Sequence, residues 1–357
     1  MIREGSGKQA KRVLEGIERI NFDTYPCLCF VGSVMASMRF LGENVTKEYM
    51  MGISGGAFQT YWEIPWGAAN CDLLLIGDEP VRRTFDALGY EYEVVPGGAQ
   101  TNTKETLRKR IVDSIDDGHP VLAIGIVGPP ECCVISGYSE GGDVLYGWSY
   151  YQGEEDTKTY FRTDKWYENC YGLILIGDKK PKPSKSEILL NTLVWAIKLA
   201  REPEFVLWGL PDIPANRRCK SGFAAFDAFA DALLRDDDFP ADKPDVLSFH
   251  CNMPIKNDVV FLMECKRTSA ARFLNIMSQE GLPGSDELRK AAEAYTQEAQ
   301  AWHKATVIVP GTGGIPYQRI VDSQLRRELS SLVREAKIHE ERAVEHLDKA
   351  LKELVGL

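Results

Sequence analysis

One cysteine of this chain stands where a thiol would become nucleophilic. Cys29 begins the run 29–42, in which apolar residues recur at positions 31, 34, 35, 38 and 41, the spacing of one face of an α-helix. A thiol in the first turn of a helix feels the positive end of the macrodipole, which lowers its pKa and favours the thiolate. The sequence therefore predicts either a nucleophile at Cys29 or an inert buried cysteine.

The elements around Cys29 predict an α+β domain. The other face of the 29–42 helix carries small residues, so we expect this helix to be buried nearly all round. Three short apolar runs, 121–127, 132–138 and 144–150, are separated by turn residues, which is typical of an antiparallel meander. Further strands are predicted at 90–95 and 171–176, and further helices at 45–51, 80–88 and 103–118.

A polar, proline-rich segment divides the chain. Residues 178–183 are the predicted linker between a domain at 1–177 and an all-α helical bundle domain at 184–357. Ser184 and Glu187 have the spacing of a capping box at the start of the second domain. The predicted helices of this half lie at 188–201, 222–234 and 259–277 (the last with a break near its middle), with one capped by Ser285 and a long one from 321 to 354.

Composition and charge exclude two classes of partner. The 357 residues carry a formal net charge of −10 without a cluster of lysine and arginine, so we expect no nucleic-acid binding. The sequence has no run of about eighteen apolar residues, so we expect no membrane span. The first residues lack a secretory signal, and the nine cysteines are odd in number and scattered. We therefore expect a cytoplasmic protein with reduced thiols.

Four segments of the first half resemble a known family. The helix 29–42, the run 54–58 (Ser-Gly-Gly-Ala-Phe), Gly128-Pro129-Pro130-Glu131 and Gly147-Trp148-Ser149 resemble the amino-terminal domain of the family named after the butirosin-biosynthesis acyltransferase. More broadly, a buried helix that begins with cysteine and precedes an antiparallel sheet resembles the papain-like cysteine peptidases, especially the bacteriocin-processing branch. The resemblance covers about residues 20–177.

That resemblance implies a papain-like amino-terminal domain and acyl transfer through a thioester on Cys29. The namesake activity moves an aminoacyl group from an acyl-carrier protein to an aminoglycoside amine. The implied partners are therefore a small-molecule acyl acceptor and an acyl-carrier protein as donor, with no cofactor. Water as the acceptor would make the protein a hydrolase. The alternative is a catalytically inactive papain-like domain that binds a small ligand or a partner.

The sequence departs from the superfamily at the catalytic histidine. That histidine precedes a Gly-Tyr pair by six residues, and the matching position here is Glu131. A histidine accepts the proton of the thiol, whereas a carboxylate is like-charged with the thiolate and raises the pKa of the cysteine. We therefore expect Glu131 to orient or deprotonate an amine, or to activate Cys29 through a neighbour. The position of the usual oxyanion glutamine holds Asp23, and backbone N–H groups at the helix start can serve instead.

Two histidines are alternatives to the missing one. The predicted strand from 119 to 127 spans roughly 26 Å, which puts His119 at the wrong end of the sheet and favours a plain turn there. His250 could approach Cys29 if the two domains dock. Alternatively, His250 has a structural role and takes no part in the reaction.

Other residues are candidates for binding. Tyr25 could donate to an oxyanion, and Gly55 belongs to the family-like run 54–58. Trp62 and Trp148 could form a wall for a sugar ring or an acyl chain, although ordinary packing is the alternative. Other aromatic residues of the same segments are Trp66, Tyr150 and Tyr151.

A metal site is the last alternative. Cys27, Cys29, Glu131, Cys132 and Cys133 converge if the resemblance holds. However, Cys-x-Cys is not the usual chelating spacing, and neighbouring residues of a strand point to opposite faces. We therefore expect no metal.

Overall fold

The chain forms two compact units, and neither is continuous in sequence. The computed structural model describes residues 11–24, 28–64, 66, 67, 70, 73–98, 102–153, 159–206 and 218–357. Of these, the N-terminal unit holds 11–50 and 81–183, and the helical unit holds 51–80 and the described residues after 183. We expected residues 51–80 in the first domain, but they pack with the helical half. One unit boundary falls at Pro183 and Ser184, where the predicted linker ends.

The strands form two antiparallel sheets. They are β1 (Arg12–Val13), β2 (Tyr61–Glu63), β3 (Tyr90–Pro96), β4 (Val121–Ile124), β5 (Cys132–Ser139), β6 (Val144–Trp148), β7 (Phe161–Thr163), β8 (Gly172–Lys179), β9 (Glu204–Val206) and β10 (Arg218–Ser221). In the N-terminal unit the order is β3-β8-β4-β5-β6-β7, and β1 pairs with β5. The predicted meander of β4, β5 and β6 is confirmed. In the helical unit the order is β2-β10-β9.

The helices alternate with strands in the first half and dominate the second. They are α1 (Cys29–Phe40), α2 (Lys47–Ile53), α3 (Glu79–Leu88), α4 (Lys104–Asp116), α5 (Lys185–Arg201), α6 (Gly222–Ala232), α7 (Pro244–His250), α8 (Leu262–Ser278), α9 (Ser285–Ile308) and α10 (Ser323–Val355), with a π-helix at Cys251–Phe261. The chain is therefore a mixed α/β protein with an antiparallel sheet and a helical carboxyl-terminal region. Among the helices described, none is both long enough and apolar enough to cross a membrane.

The sheet of the N-terminal unit positions its helices. Helices α1 and α4 both pack against β5, a strand in the interior of the sheet. Residues 29–38 of α1 are all buried, which confirms the prediction from its small second face. Thr103 caps α4 by accepting a hydrogen bond from the backbone N–H of Thr106, which fixes where the helix begins.

The helical unit packs α9 against both α8 and α10. Its core is aromatic and includes Trp62 from β2, Phe226 and Phe229 from α6, and Trp302 from α9. These side chains bury large apolar areas, which is the main favourable contribution to folding. Trp62 reaches this core because β2 pairs with β10 directly before α6.

Helix boundaries agree with the sequence at one cap and differ at another. The predicted capping box of Ser184 and Glu187 is present at the start of α5. The prediction that Ser285 caps α9 was wrong, because Gly284 is the cap and has a positive φ of 84° that glycine adopts readily. Ser285 is the first helical residue, and its hydroxyl donates to the carbonyl of Leu282 at 2.6 Å.

The break expected near the middle of 259–277 is absent, because α8 is continuous from Leu262 to Ser278, and the change from the π-helix to α8 falls at Phe261 and Leu262. The π-helix contains Pro254, which cannot donate a backbone hydrogen bond. Its wider turns place Asp258 inside the unit, where one carboxylate oxygen accepts from the backbone N–H of Asn70 at 3.2 Å.

Candidate functional site

Cys29 is the first residue of α1, and it is almost completely buried. Leu28 precedes it in an extended conformation and supplies no polar side chain to cap the helix. The unpaired N–H groups of a first helical turn can stabilise an anion such as a thiolate or an oxyanion. Because Cys29 is only 2% exposed, a substrate can reach its sulfur only when the residues that cover it move.

A hydrogen bond joins the first turns of α1 to the start of β5. The Ser33 hydroxyl donates to the backbone carbonyl of Cys132 at 3.2 Å, and both residues are buried. Ser33 lies one helical turn after Cys29 and therefore on the same face of α1. This face of the helix packs at the end of β5 that follows Glu131.

Glu131 is held in a tight turn at that end of the sheet. Its backbone N–H donates to the carbonyl of Pro129 at 2.6 Å, and its carbonyl accepts from the N–H of Gly125 at 3.0 Å. The residue is 8% exposed. A buried carboxylate is costly without compensating contacts, and so its presence here is informative. Cys29 and Glu131 thus lie at the same end of the N-terminal unit.

His119 lies at the opposite end of the sheet, as the strand length predicted. Ile124 at the end of β4 pairs with Cys132, whereas Val121 at its start pairs with Ile135. His119 precedes Val121 and is therefore a further two residues away from Cys132. Its backbone N–H donates to the carbonyl of Ser114, which closes the turn after α4.

An open cavity of about 590 Å³ lies near His119, away from Cys29. Its lining includes His119, residues from the carboxyl-terminal half of β8, two cationic side chains (Lys109 and Arg110) and five carboxylates (Glu91, Glu93, Asp113, Asp117 and Asp178). Leu175 of β8 pairs with Val121 rather than with Ile124, so this cavity opens at the end of the sheet that is remote from Cys132.

His250 belongs to the helical unit and has structural contacts there. Its ring stacks on Trp66 with centroids 4.5 Å apart, and Nδ1 lies 3.1 Å from the carbonyl of Asp238. Burial lowers the pKa of His250, so the ring is neutral at physiological pH. These contacts account for His250 without a catalytic role.

Two predicted binding residues also belong to the helical unit. Trp62 is 1% exposed and packs against Phe229 with ring centroids 4.7 Å apart. Gly55 has a positive φ of 85°, and a side chain there would meet the ring of Trp195 at 2.5 Å. The interpretation of Trp62 as a substrate wall and of Gly55 as a binding residue is corrected to core packing within the helical unit.

The other predicted residues are in the N-terminal unit or outside the described residues. Trp148 ends β6 and is largely buried, and its indole N–H donates to the carbonyl of Ile17 at 3.0 Å. Asp23 is exposed on the segment that precedes α1. Tyr25 and Cys27 lie outside the described residues.

Sequence reasoning missed two features at the Cys29 end. Ser33 connects α1 to β5, and its spacing of four residues from Cys29 was a usable signal. Phe22 was not considered, although its ring contacts Tyr150 and Tyr151 with centroids 4.9 and 5.8 Å away. No local pattern of the sequence relates Phe22 to residues near 150.

The most extensive buried ionic cluster lies in the helical unit, and the sequence did not reveal it. Arg267 of α8 places its Nε 2.9 Å from Glu298 of α9 and 2.8 Å from Glu340 of α10. The three side chains are at most 1% exposed. The guanidinium also donates to the carbonyl of Ala57 at 2.8 Å and to the hydroxyl of Thr60.

This cluster carries two carboxylates for one guanidinium. Burial raises the pKa of Glu298 well above its ordinary value; Arg267 acts in the opposite direction, and Glu340 raises the pKa further. The indole N–H of Trp302 donates to Glu298 at 3.1 Å. The raised pKa favours a protonated Glu298, and with that proton the three side chains are neutral as a group.

The cysteines are not all reduced. Cys265 is disulfide-bonded, which corrects the expectation of reduced thiols throughout, whereas Cys29 and the other described cysteines do not form disulfides. Burial raises the pKa of Cys170 to about 11 and that of Cys251 to about 12. Those two thiols are therefore protonated at neutral pH.

Within the part of the chain that the structure describes, histidine, cysteine, aspartate and glutamate side chains do not form a group of three or more that could hold a metal ion.

Comparison with protein-family models and with curated proteins gives no match to this chain.

Proposed function

We propose that this protein is a cysteine-dependent acyltransferase, or an amide or thioester hydrolase, with a papain-like N-terminal unit. Cys29 is the nucleophile, and Glu131 binds the acyl acceptor and takes its proton. The observation that carries the proposal is the hydrogen bond from Ser33 to Cys132. It joins the helix that begins with the thiol to the first residue of the strand that follows the carboxylate, and this supports placing the two side chains in one site.

The chemistry follows from these two side chains. The Cys29 thiolate attacks the carbonyl carbon of a donor such as an acyl-carrier-protein thioester, an S–C bond forms, and the donor thiol leaves. An amine or water then attacks the new thioester and loses a proton to Glu131, and the Cys29 thiolate is released. The N–H groups at the start of α1 would stabilise the oxyanion in both steps.

Glu131 suits the acceptor step for an electrostatic reason. A carboxylate attracts an ammonium group and accepts hydrogen bonds from an amine, whereas it offers nothing to an apolar acyl chain. Glu131 and Arg83 are the buried charged residues among the described part of the N-terminal unit. The proposal therefore assigns a small-molecule amine as the first candidate acceptor.

A second candidate function rests on the burial of Cys29. A thiol that is 2% exposed also fits a catalytically inactive papain-like domain that binds a ligand or a partner. The two functions differ in one measurable property, the reactivity of the thiol.

Alkylation by iodoacetamide separates them. We expect Cys29 to react at neutral pH at least about tenfold faster than a free cysteine, because the helix start favours the thiolate. The rate is measured by peptide mapping, with Cys170 and Cys251 in the same chain as slow internal references. Cys29→Ser removes the fast site. A rate at Cys29 equal to that of Cys170 would favour the inactive domain.

The role of Glu131 has its own test. In Glu131→Gln we expect transfer from Cys29 to an amine to slow by about 100-fold or more, since a general base contributes at least that much. Acylation of Cys29 continues, so the acyl-enzyme accumulates and is visible by intact mass. Equal turnover in Glu131→Gln and the parent protein would exclude Glu131 as the base.

A further inference from the structure

Three aromatic side chains form an exposed cluster at the Cys29 end of the N-terminal unit. This aromatic cluster consists of Phe22, Tyr150 and Tyr151. Phe22 is 49% exposed and Tyr151 is 41% exposed, whereas Tyr150 is largely buried beneath them. Phe22 contacts both tyrosine rings, at 53° to Tyr150 and 83° to Tyr151. Contiguous exposed apolar surface of this kind commonly marks a place where a ligand binds.

The register of the sheet locates the cluster. Trp148, the last residue of β6, pairs with Val134 of β5. Because Val134 is the third residue of β5, β6 ends beside the start of β5, and Tyr150 and Tyr151 lie in the turn that follows. Phe22 lies on the segment that leads into α1. The aromatic cluster therefore lies at the end of the unit that also holds Cys29 and Glu131.

Hydrogen bonds attach the cluster to the turn before Glu131. The Ser149 hydroxyl donates to the carbonyl of Val127 at 3.2 Å and accepts from the N–H of Tyr151 at 3.1 Å. Gly128 has a positive φ of 87°, and a Cβ there would lie 2.4 Å from the Cβ of Tyr151. Tyr151 thus packs directly on this turn, and a fixed surface costs less to order when a ligand binds.

We propose that the aromatic cluster binds the apolar chain of the acyl group that is transferred, and that the protein therefore prefers medium-length aliphatic acyl donors over acetyl. The inference rests on the proposed function, because it needs a thioester on Cys29. The acceptor is polar and is matched by the Glu131 carboxylate. Ring faces attract apolar groups without directional hydrogen bonds, so they suit the acyl chain.

The test is a series of N-acetylcysteamine thioesters with acetyl, butyryl, hexanoyl and octanoyl chains. Acylation of Cys29 in the full chain is followed by intact mass and located by peptide mapping. We expect the second-order rate to rise about twofold for each methylene, compared with about fourfold for a methylene that becomes fully buried. In Phe22→Ala and Tyr151→Ala this dependence on chain length weakens.

Two further variants make the result specific. Tyr151→Phe keeps the ring and should keep the dependence on chain length. Val94→Ala changes another apolar residue of the same unit, which is 39% exposed on the edge strand β3. It should leave the dependence unchanged, and a weakened dependence in Val94→Ala would contradict a local role of the aromatic cluster.

The outcomes also separate this inference from the proposed function. Acylation of Cys29 at the same rate with every chain would overturn the inference and leave the proposed function in place. If the parent protein and Cys29→Ser show the same lack of adducts with all four thioesters, both are overturned.

Discussion

The two units treat charged side chains in opposite ways. Among the described residues, eight charged side chains are buried in the helical unit: Glu63, Asp258, Lys266, Arg267, Glu287, Glu298, Arg326 and Glu340. The N-terminal unit buries two by the same criterion, Arg83 and Glu131. The number of buried ionisable groups therefore does not indicate which unit carries the candidate active site.

The difference lies in what the charges contact. Arg267 contacts two carboxylates and the backbone of the segment near Ala57, so the cluster joins α8, α9 and α10 to a segment that is distant in sequence. Glu131 instead stands at the end of a sheet, beside exposed aromatic rings and the helix that begins with Cys29. A buried ion pair is costly to break once one partner is removed, whereas Glu131 is the buried carboxylate to which the proposed function assigns a role in the reaction.

The largest effect that we predict concerns Arg267. Arg267→Met leaves the buried carboxyl groups of Glu298 and Glu340 without their cation, and removal of one partner from a buried pair costs about 3–5 kcal/mol. Urea unfolding followed by circular dichroism at helical wavelengths measures the loss. Arg289→Met removes an exposed ion pair on α9 and should cause a much smaller loss. Similar losses of stability in both variants would show that the buried cluster contributes no more to stability than an exposed ion pair.

The next prediction concerns the proton that the raised pKa favours on Glu298. Because burial raises the pKa of Glu298, the folded protein keeps a proton that the unfolded chain has released above about pH 4.5. Stability that is present below that pH is therefore lost as the pH rises toward the pKa of the folded state.

Glu298→Gln cannot release that proton, so it should remove this loss. Relative to the variant, we expect the free energy of unfolding of the parent protein to fall by up to about 1.4 kcal/mol for each pH unit above about 4.5. The measurement is the free energy of unfolding across a pH series. Subtracting the curve of Glu298→Gln from that of the parent protein cancels the contributions of His250 and His339. The control is Glu293→Gln, which changes an exposed glutamate on α9. Parallel curves for the parent and Glu298→Gln would mean that the folded protein holds no extra proton at Glu298.

The smallest effect concerns an ion cluster of the N-terminal unit that faces solvent. Hydrogen bonds from Lys179 and Lys182 lower the pKa of Glu43 from 4.5 to about 2. Both lysine side chains are well exposed, so Glu43→Gln should cost only about 1 kcal/mol at neutral pH.

The contribution of Glu43 is present above about pH 4.5 and is lost as the pH falls through about 2, which are the unfolded and folded values. Acid titration of unfolding should therefore be less steep over that interval in Glu43→Gln than in the parent protein. A cost equal to that of Arg267→Met would contradict the contrast between the two units.

Local features of the fold could be predicted because they depend on neighbouring residues. The capping box at Ser184, the cap at Thr103 and the burial of α1 each follow from a few adjacent side chains. Strand length also sufficed to put His119 at the far end of the sheet. These predictions needed only backbone geometry and the period of the apolar pattern.

Long-range pairing could not be predicted in the same way. Trp62 was interpreted as a possible substrate wall, but β2 pairs with β10, a strand more than 150 residues later, and this draws Trp62 into the helical core. Likewise, the spacing of the cysteines did not reveal that Cys265 is disulfide-bonded. Nothing local distinguishes an aromatic residue of a core from one of a binding surface.

The sheet of β2, β9 and β10 has a practical consequence for anyone who divides this protein. A truncated chain that stops at Pro183 retains Trp62 without the strand β10 and the helix α6 that cover it. The complementary fragment lacks the carbonyl of Ala57 and the hydroxyl of Thr60 that accept from Arg267. Separate expression of the halves should give two aggregation-prone fragments, and co-expression should give one foldable complex.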